Sequence, residues 1–357
     1  MKKFLTGLFC LVFAAGLFAD EKRDDAIRKG VEYLRTQQAE DGSFASMMGT
    51  GPTSIVLIGL LNSGLDVDDP MVSKALKYLE SQVQPDGSIT NPRVGFGNYE
   101  TSVAIVAFAA ANKEGRYKEI LSDAEKYVRK YQWDESEGID SSDPKYGGAG
   151  YGGRMSRPDL SNTGFLLDAL DSLGAKSDDP AVQKAMVFVS RCQNLESQYN
   201  TMPWASGKND GGFVYHFFTD DKMPKGMQDG SLKTYGSMTY TGFKSMVYAG
   251  LSADDPRVKA ALAWLAKNYS FQENPGQGQA GRYYYFLVMS KALKKFGHET
   301  FRDANGVEHK WAEEITGELL ASQQADGSWV NDKSNRWMEN NPILVTGYAL
   351  MIIGNCR

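Results

Sequence analysis

The sequence predicts an all-α chain closed on itself as an α6/α6 toroid, two concentric rings of alternating outer and inner helices. Three observations carry that expectation. The phrase Asp-Asp-Pro-x-Val-x-x-Ala recurs, as DDPMVSKALKYL from Asp68, DDPAVQKAMVFV from Asp178 and DDPRVKAALAWL from Asp254. Segments that are apolar nearly all round alternate with these amphipathic ones. A second phrase, Gln followed by Asp-Gly and an aromatic, stands near both ends, as QQAEDGSF at 37–44 and QQADGSW at 323–329.

Residues 1–19, MKKFLTGLFCLVFAAGLFA, read as a secretory signal peptide: two lysines, a short apolar run and a small-residue exit before the charged EKRDD. The run is short for a membrane span, and Phe9 is too bulky for the cleavage that would make Cys10 a lipid anchor. An uncleaved membrane anchor is the alternative. The expected mature protein begins at Asp20, is exported to the periplasm or the medium, and forms a single toroid domain of six helical hairpins over residues 20–357. Nothing later is apolar for long enough to cross a membrane. Without Lys2 and Lys3 the 39 basic residues fall to 37 against 44 acidic ones, a net charge of −7 with no basic block. Nucleic acid and anionic membrane surfaces are therefore excluded as partners. Cys192 and Cys356 are too few for a disulfide framework and are expected unpaired.

In each Asp-Asp-Pro phrase an Asp can cap a helix and Pro takes the first helical position, where its missing N–H costs nothing. Apolar residues then fall at i, i+3, i+4 and i+7: Val72, Ala75, Leu76, Leu79; Val182, Ala185, Met186, Val189; Val258, Ala261, Leu262, Leu265. One stripe is buried and one face is wet. Weaker copies near Asp24, Asp123 and Glu313 bring the outer set to six. Between them lie TSIVLIGLLNSG, TSVAIVAFAAANKEG, SNTGFLLDALDSLG, YTGFKSMVYAGL, RYYYFLVMSKALKKFG and ILVTGYALMIIG. A helix without a polar face is buried on both sides. Six half-exposed helices alternating with six buried ones close into a double ring, which brings the first and last repeats together.

The Gln-x-x-Asp-Gly-Ser-Trp phrase after "YL" or "LL" resembles the QW repeat of squalene cyclases and the related prenyltransferase and squalene oxidase repeats. It is clearest in Gln37–Phe44, Gln82–Ile89 and Gln323–Trp329 and eroded in the other three copies. The resemblance implies the α/α toroid of triterpene cyclase domains and protein prenyltransferase β subunits, with Gln and the aromatic tying each outer helix to its neighbour.

Outer-to-inner links are long, Gln132 to Leu160 and Gln193 to Thr239 above all, and long loops in a compact domain carry function or disorder. Topology gathers them at the end that also holds the inner-helix N-termini, with their unpaired N–H groups. The stretch YGGAGYGGRMSRPDLSNTGF at 146–165 enters an inner helix. Its glycines, Arg154 and Arg157 suit a diphosphate, or serve packing. Asp159-Leu160-Ser161-Asn162-Thr163 falls where squalene-hopene-type cyclases carry Asp-x-Asp-Asp-Thr, whose middle Asp protonates the alkene; here Ser161 and Asn162 replace both acids that follow Asp159. It also falls where protein prenyltransferases carry the Asp-x-Cys of their zinc site, whose later His meets Tyr284 or Tyr285. Ser is a poor zinc ligand, so no metal and no cofactor is implied. Asp159 is the catalytic candidate, or else a helix cap. Phe165, Tyr240, Phe243, Tyr283, Tyr284, Tyr285 and Tyr348 are expected near the inner-helix mouths, where ring faces line an apolar cavity and steady a cation. Asp210 and Asp229 could pair with Asp159 for acid/base work on a sugar.

The leading expectation is a toroid that binds an apolar isoprenoid or lipid ligand in its centre. A terpene cyclase or prenyltransferase with a non-standard site, a carbohydrate-active toroid and a scaffold that binds a protein partner through the long-loop face stay open, since fold does not fix function.

Overall fold

The computed structural model describes residues 2–152, 157–217 and 233–357. Its helices run α1 (Lys2–Gln37), α2 (Gly51–Asn62), α3 (Pro70–Ser81), α4 (Gly97–Ala111), α5 (Lys118–Lys130), α6 (Leu160–Ser172), α7 (Pro180–Arg191), α8 (Gly236–Tyr248), α9 (Pro256–Lys267), α10 (Arg282–Phe296), α11 (Trp311–Ser322) and α12 (Pro342–Asn355). A two-residue hairpin, β1 (Phe301–Arg302) with β2 (Glu308–His309), lies between α10 and α11. The even-numbered helices pack in sequence, α2 on α4 and on through α10 to α12, and α12 returns onto α2. That is the closed inner ring. The odd-numbered helices form the outer ring.

The Asp-Pro phrases act as caps. Asp69, Asp179 and Asp255 each accept the N–H two residues on, at 2.8, 2.8 and 2.9 Å. The striped residues of α3, α7 and α9 are buried, with Leu262 half-buried.

The Gln–Asp-Gly phrase is the strap between repeats. Gln38, Gln132 and Gln193 each donate from Nε2 across to the first turn of the next outer helix, at the carbonyls of Met71, Ala181 and Arg257, and Gln323 donates to the Ala26 carbonyl within α1. The bond from Gln323 to Ala26, 2.9 Å, closes the ring. In the second copy Val83 stands where the other repeats have this Gln, so the phrase is present there without its bridge. The turn glycine has a backbone reason as well as a steric one. Gly42 and Gly327 have φ of 90° and 89°, and a Cβ would come within 2.3 and 2.5 Å of the carbonyls of Lys74 and Lys29 on the neighbouring helix. Only glycine fits there. The residue that follows Gly-Ser is buried, and its N–H reaches a threonine in the next inner helix: Phe44 to Thr53, Ile89 to Thr101 and Trp329 to Thr346, at 2.9, 2.9 and 3.0 Å. Ala149 to Thr163 and Phe213 to Thr239 repeat the bond at 3.0 and 3.1 Å. Each strap therefore satisfies a backbone donor that would otherwise be buried unpaired.

The inner ring also carries a buried ionic cluster. Asp168 of α6 pairs with Lys244 of α8 and, at 2.8 Å, with Lys291 of α10. Burial alone would raise the Asp168 carboxyl, but the two lysine charges outweigh it and hold it down at about 2. Burial pulls Lys244 down to about 8 against the attraction of Asp168. Cys192 and Cys356 are both free thiols.

Candidate functional site

The N-terminal turns of the inner helices enclose a cavity of ≈ 180 Å³ at the long-link end of the toroid. All six inner helices contribute: Pro52, Tyr99, Ser161 with Phe165, Ser237 with Met238, Tyr284, and Leu344 with Tyr348. The links add Met48, Phe96, Tyr151, Tyr215, Tyr235 and the run Trp337–Glu339. No Lys, Arg or His lines it among the described residues. The rings form a chain around the wall: Tyr151 to Tyr99 at 6.0 Å, Tyr99 edge-on to Phe165 at 5.0 Å, then Phe165 to Tyr284 at 6.1 Å and Tyr284 to Tyr348 at 6.4 Å.

Of the residues singled out from sequence, Ser161, Phe165, Tyr284 and Tyr348 line this cavity. Ser161 Oγ lies 3.0 Å from the Tyr284 hydroxyl. Two of the three positions at which the resemblance implies zinc ligands in prenyltransferases, that of the Cys and, at Tyr284, that of the His, therefore meet in space as a pair of hydrogen-bonded hydroxyls. Tyr240, Phe243 and Tyr285 lie elsewhere, because helix rotation turns them into the packing beside the inner ring. Tyr240 packs on Tyr285 at 5.6 Å and Phe243 edge-on to Phe296 at 5.1 Å, while the Tyr285 hydroxyl donates to the Ser270 carbonyl at 3.0 Å. Tyr283 points to α11, its hydroxyl 3.4 Å from Ser322.

The glycine-rich entry to α6 has packing roles. A Cβ on Gly147 would meet the Lys184 carbonyl, and one on Gly148 would meet Pro158 and Phe188. Arg157 contacts His216 Nε2 at 3.1 Å and stands outside the cavity wall. Arg154 and Asp229 lie outside the described residues. Asp210 is the turn aspartate of the fourth strap, taking the Gly212 N–H at 3.0 Å and the Thr234 hydroxyl at 2.8 Å. Its strap position accounts for it, in place of a pairing with Asp159.

Asp159 caps α6 from behind the cavity wall. It accepts the Asn162 N–H at 2.8 Å and Asn162 Nδ2 at 2.7 Å, and a third bond comes from the Tyr215 hydroxyl. Asn162 is thus buried as the partner of Asp159 rather than as a wall residue. Burial pushes the Asp159 carboxyl up to about 6, with those hydrogen bonds opposing it. Tyr215 lines the cavity and also hydrogen-bonds Tyr151. Asp159 therefore touches the cavity only through a tyrosine hydroxyl. The long link makes this geometry: the Tyr215 carbonyl takes the Leu160 N–H at 2.8 Å, fixing Tyr215 beside the helix start.

Sequence reasoning missed Glu339. Its carboxylate is fully buried on the cavity wall, taking the Tyr284 N–H and Asn331 Nδ2, both at 2.8 Å. Burial raises its pKa, opposed by bonds from Asn331 and the first N–H groups of α10. Tyr151, Tyr215, Tyr235, Trp337 and Met338 were missed too. All sit on links, where periodicity has nothing to say; for Tyr151 and Tyr215 the one signal was an aromatic two residues beyond a strap's end.

A family model for the squalene-hopene cyclase C-terminal domain matches residues 6–107, and the resemblance read from the repeats stands. Among solved structures, the chain is similar to the type II terpene cyclase MstE from Scytonema, in complex with its product merosterolic acid A, at 14% identity and a TM-score of 0.55, covering 94% of this chain and 97% of that one. It is similar to the α-1,6-mannanase GH76A of Salegentibacter, an inactive variant holding α-1,6-mannotriose, at 10% identity, TM-score 0.57, and coverage of 93% and 99%. A possible member of the GH105 family from Salmonella enterica matches at 11% identity, TM-score 0.58, and coverage of 94% and 93%. At these identities the likeness is one of fold: an α/α toroid shared by terpene cyclases and glycosidases. No curated protein matches the chain in sequence.

Proposed function

We propose that this chain is an exported, squalene-cyclase-like toroid that binds an apolar, isoprenoid-type ligand in the cavity over the inner-helix N-termini. The observation that carries the reading is the wall itself: six tyrosines, two phenylalanines and aliphatic side chains, with Glu339 as the one carboxylate and no cation. Such a surface takes a carbon skeleton through ring faces and a polar end through hydroxyls. At ≈ 180 Å³ the space is below the ≈ 300–1,000 Å³ of drug-sized sites, so it seats part of an isoprenoid chain rather than the whole of a long one. MstE supports the class, since it holds geranylgeranyl dihydroxybenzoate on the same architecture.

Binding is favoured over alkene cyclisation because Ser161 stands where the resemblance implies the proton donor. A hydroxyl hydrogen-bonded to another hydroxyl is not the strong, shielded acid that protonating an alkene needs. Native mass spectrometry of protein purified from its own host tests the reading. A retained lipid-class molecule, lost on Phe165→Ala with Tyr284→Ala, is expected. An empty protein, or cyclic product from added squalene, overturns it. Export to the periplasm or medium, with cleavage before Asp20 and a single domain over 20–357, is part of the proposal; N-terminal sequencing of envelope material should read Asp20 first, and intact Met1 on cytoplasmic protein would refute it.

One observation favours a second reading, in which the chain is an enzyme. A carboxyl titrating at about 6 that hydrogen-bonds a cavity tyrosine is poised to exchange protons with a polar ligand group near neutral pH. On that reading Asp159→Asn and Tyr215→Phe each abolish turnover of a retained ligand while leaving it bound.

A further inference from the structure

We propose that the mouth of the cavity is a receptor for an anionic head group and that Arg336 is the residue that recognises it. The inference rests on the reading of the cavity as a site for an apolar ligand, and it specifies that ligand as an amphiphile with a carboxylate or phosphate at one end.

The turn Arg336–Met338 forms one rim of the cavity. Trp337 and Met338 have φ of 54° and 62°, left-handed values that bulky side chains seldom adopt and that the surroundings must impose. The anchors are visible. Asn331 N–H donates to the Glu339 carbonyl at 2.9 Å, Asn331 Nδ2 to Glu339 Oε2 at 2.8 Å, and Glu339 Oε1 takes the first-turn N–H of Tyr284 at 2.8 Å. The Trp337 ring lies so close to Gly281 that a Cβ there would sit 2.8 Å from it.

What this anchored turn presents is an apolar collar with one charge. Trp337 and Met338 line the cavity and are still 43% and 46% exposed. Met47, 97% exposed, adjoins the wall residue Met48 on the facing turn. The Arg336 guanidinium stacks 4.6 Å over the Trp337 ring. Stacking engages its face and leaves its N–H edge for an anion. Its charge reaches the hydroxyl of Tyr235, a wall residue. No carboxylate pairs with it among the described residues. Glu339, three residues on, has both oxygens committed to α10 and Asn331. A fixed cation without a counter-charge thus stands at the opening of a cavity that has no cation in its wall, and an anionic head above an apolar body completes both.

Displacement of the neutral fluorophore N-phenyl-1-naphthylamine tests this, using farnesol, farnesoate and farnesyl monophosphate, which share one chain and differ in head. At low salt, farnesoate, farnesyl monophosphate or both should displace the probe at a concentration about tenfold lower than farnesol; the tighter of the two identifies the head. In Arg336→Gln the anion's advantage over farnesol should fall to within about twofold, and Arg336→Lys should restore part of it. Equal displacement by all three in the unaltered protein, or an anion preference that survives in Arg336→Gln, overturns the inference and leaves the apolar reading standing. No displacement by any of the three overturns the apolar reading, and the inference with it.

Discussion

Helix α6 is capped by Asp159 and carries Asp168 further along, and the two carboxyls meet burial in opposite ways. At the cavity end Asp159 has only dipoles for company, the amide groups of Asn162 and the hydroxyl of Tyr215, and it rises to about 6. Asp168 has two ammonium groups, and against the same burial it falls to about 2. Burial sets the size of the problem; the charge of the partner sets the sign of the answer. One end of the helix can therefore hold a proton that is exchangeable near neutral pH, while further along it holds a permanent ion that ties α6, α8 and α10 together.

The largest effect should come from breaking the ionic cluster. Asp168→Asn leaves Lys244 buried and Lys291 half-buried without their anion, at a cost of about 3–5 kcal/mol, read as a lower urea midpoint. Asp168 also fixes an acid limit. Its folded pKa lies below that of the unfolded chain, so the unfolded state binds more protons between about 4 and 2. The stabilisation is complete above that window and is lost as pH falls through it.

Asp159 should show the reverse sign. Its folded pKa of about 6 exceeds the unfolded value, so the native state binds more protons between about 3.9 and 6 and stability falls as pH rises through that range. The penalty at pH 7 is of order 3 kcal/mol from two pKa units at 1.36 kcal/mol each. Asp159→Asn, which keeps a capping oxygen, should therefore gain on the unaltered protein as pH goes from 4.5 to 7.5. Equal shifts of melting temperature at both pH values would break the comparison.

Two smaller tests sharpen it. Lys244→Met leaves a one-to-one pair of Asp168 and Lys291, and should cost at most about half of what Asp168→Asn does; Lys244 is the cation that burial has already drawn down to about 8. Tyr215→Phe removes one bond that favours the ionised form of Asp159. The carboxyl should then titrate above 6 in the infrared, with a stability change of about 1 kcal/mol.

Most of the architecture could be read without coordinates because each repeat states it locally. Asp-Pro marks the start of α3, α7 and α9, and the four-position stripe shows which face is covered. The inner helices were recognisable by having no wet face. The ionic cluster had a signal that went unread: GFLLDAL, TGFKSMV and VMSKAL each carry one charge inside a run that is otherwise mostly buried. Three such charges on helices due to neighbour one another should have suggested a cluster. The site was half legible. Ser161, Phe165, Tyr284 and Tyr348 follow from where inner helices begin, whereas Tyr240, Phe243 and Tyr285 needed helix rotation to be placed. Glu339 and Trp337 depend on a backbone path, left-handed at a tryptophan and a methionine, that neither residue type favours.

The closing strap between Gln323 and Ala26 has a consequence for how the protein comes into being. Met48 and Pro52 are synthesised early, while Glu339, Leu344 and Tyr348, which line the same cavity and of which the last two lie on the helix that closes onto α2, are synthesised late. An open solenoid can fold behind the ribosome one unit at a time; a ring cannot, since its first unit waits for its last. The cavity straddles that seam. It is therefore absent from every nascent chain that lacks the final hairpin, and no ligand can be captured there before the hoop has closed.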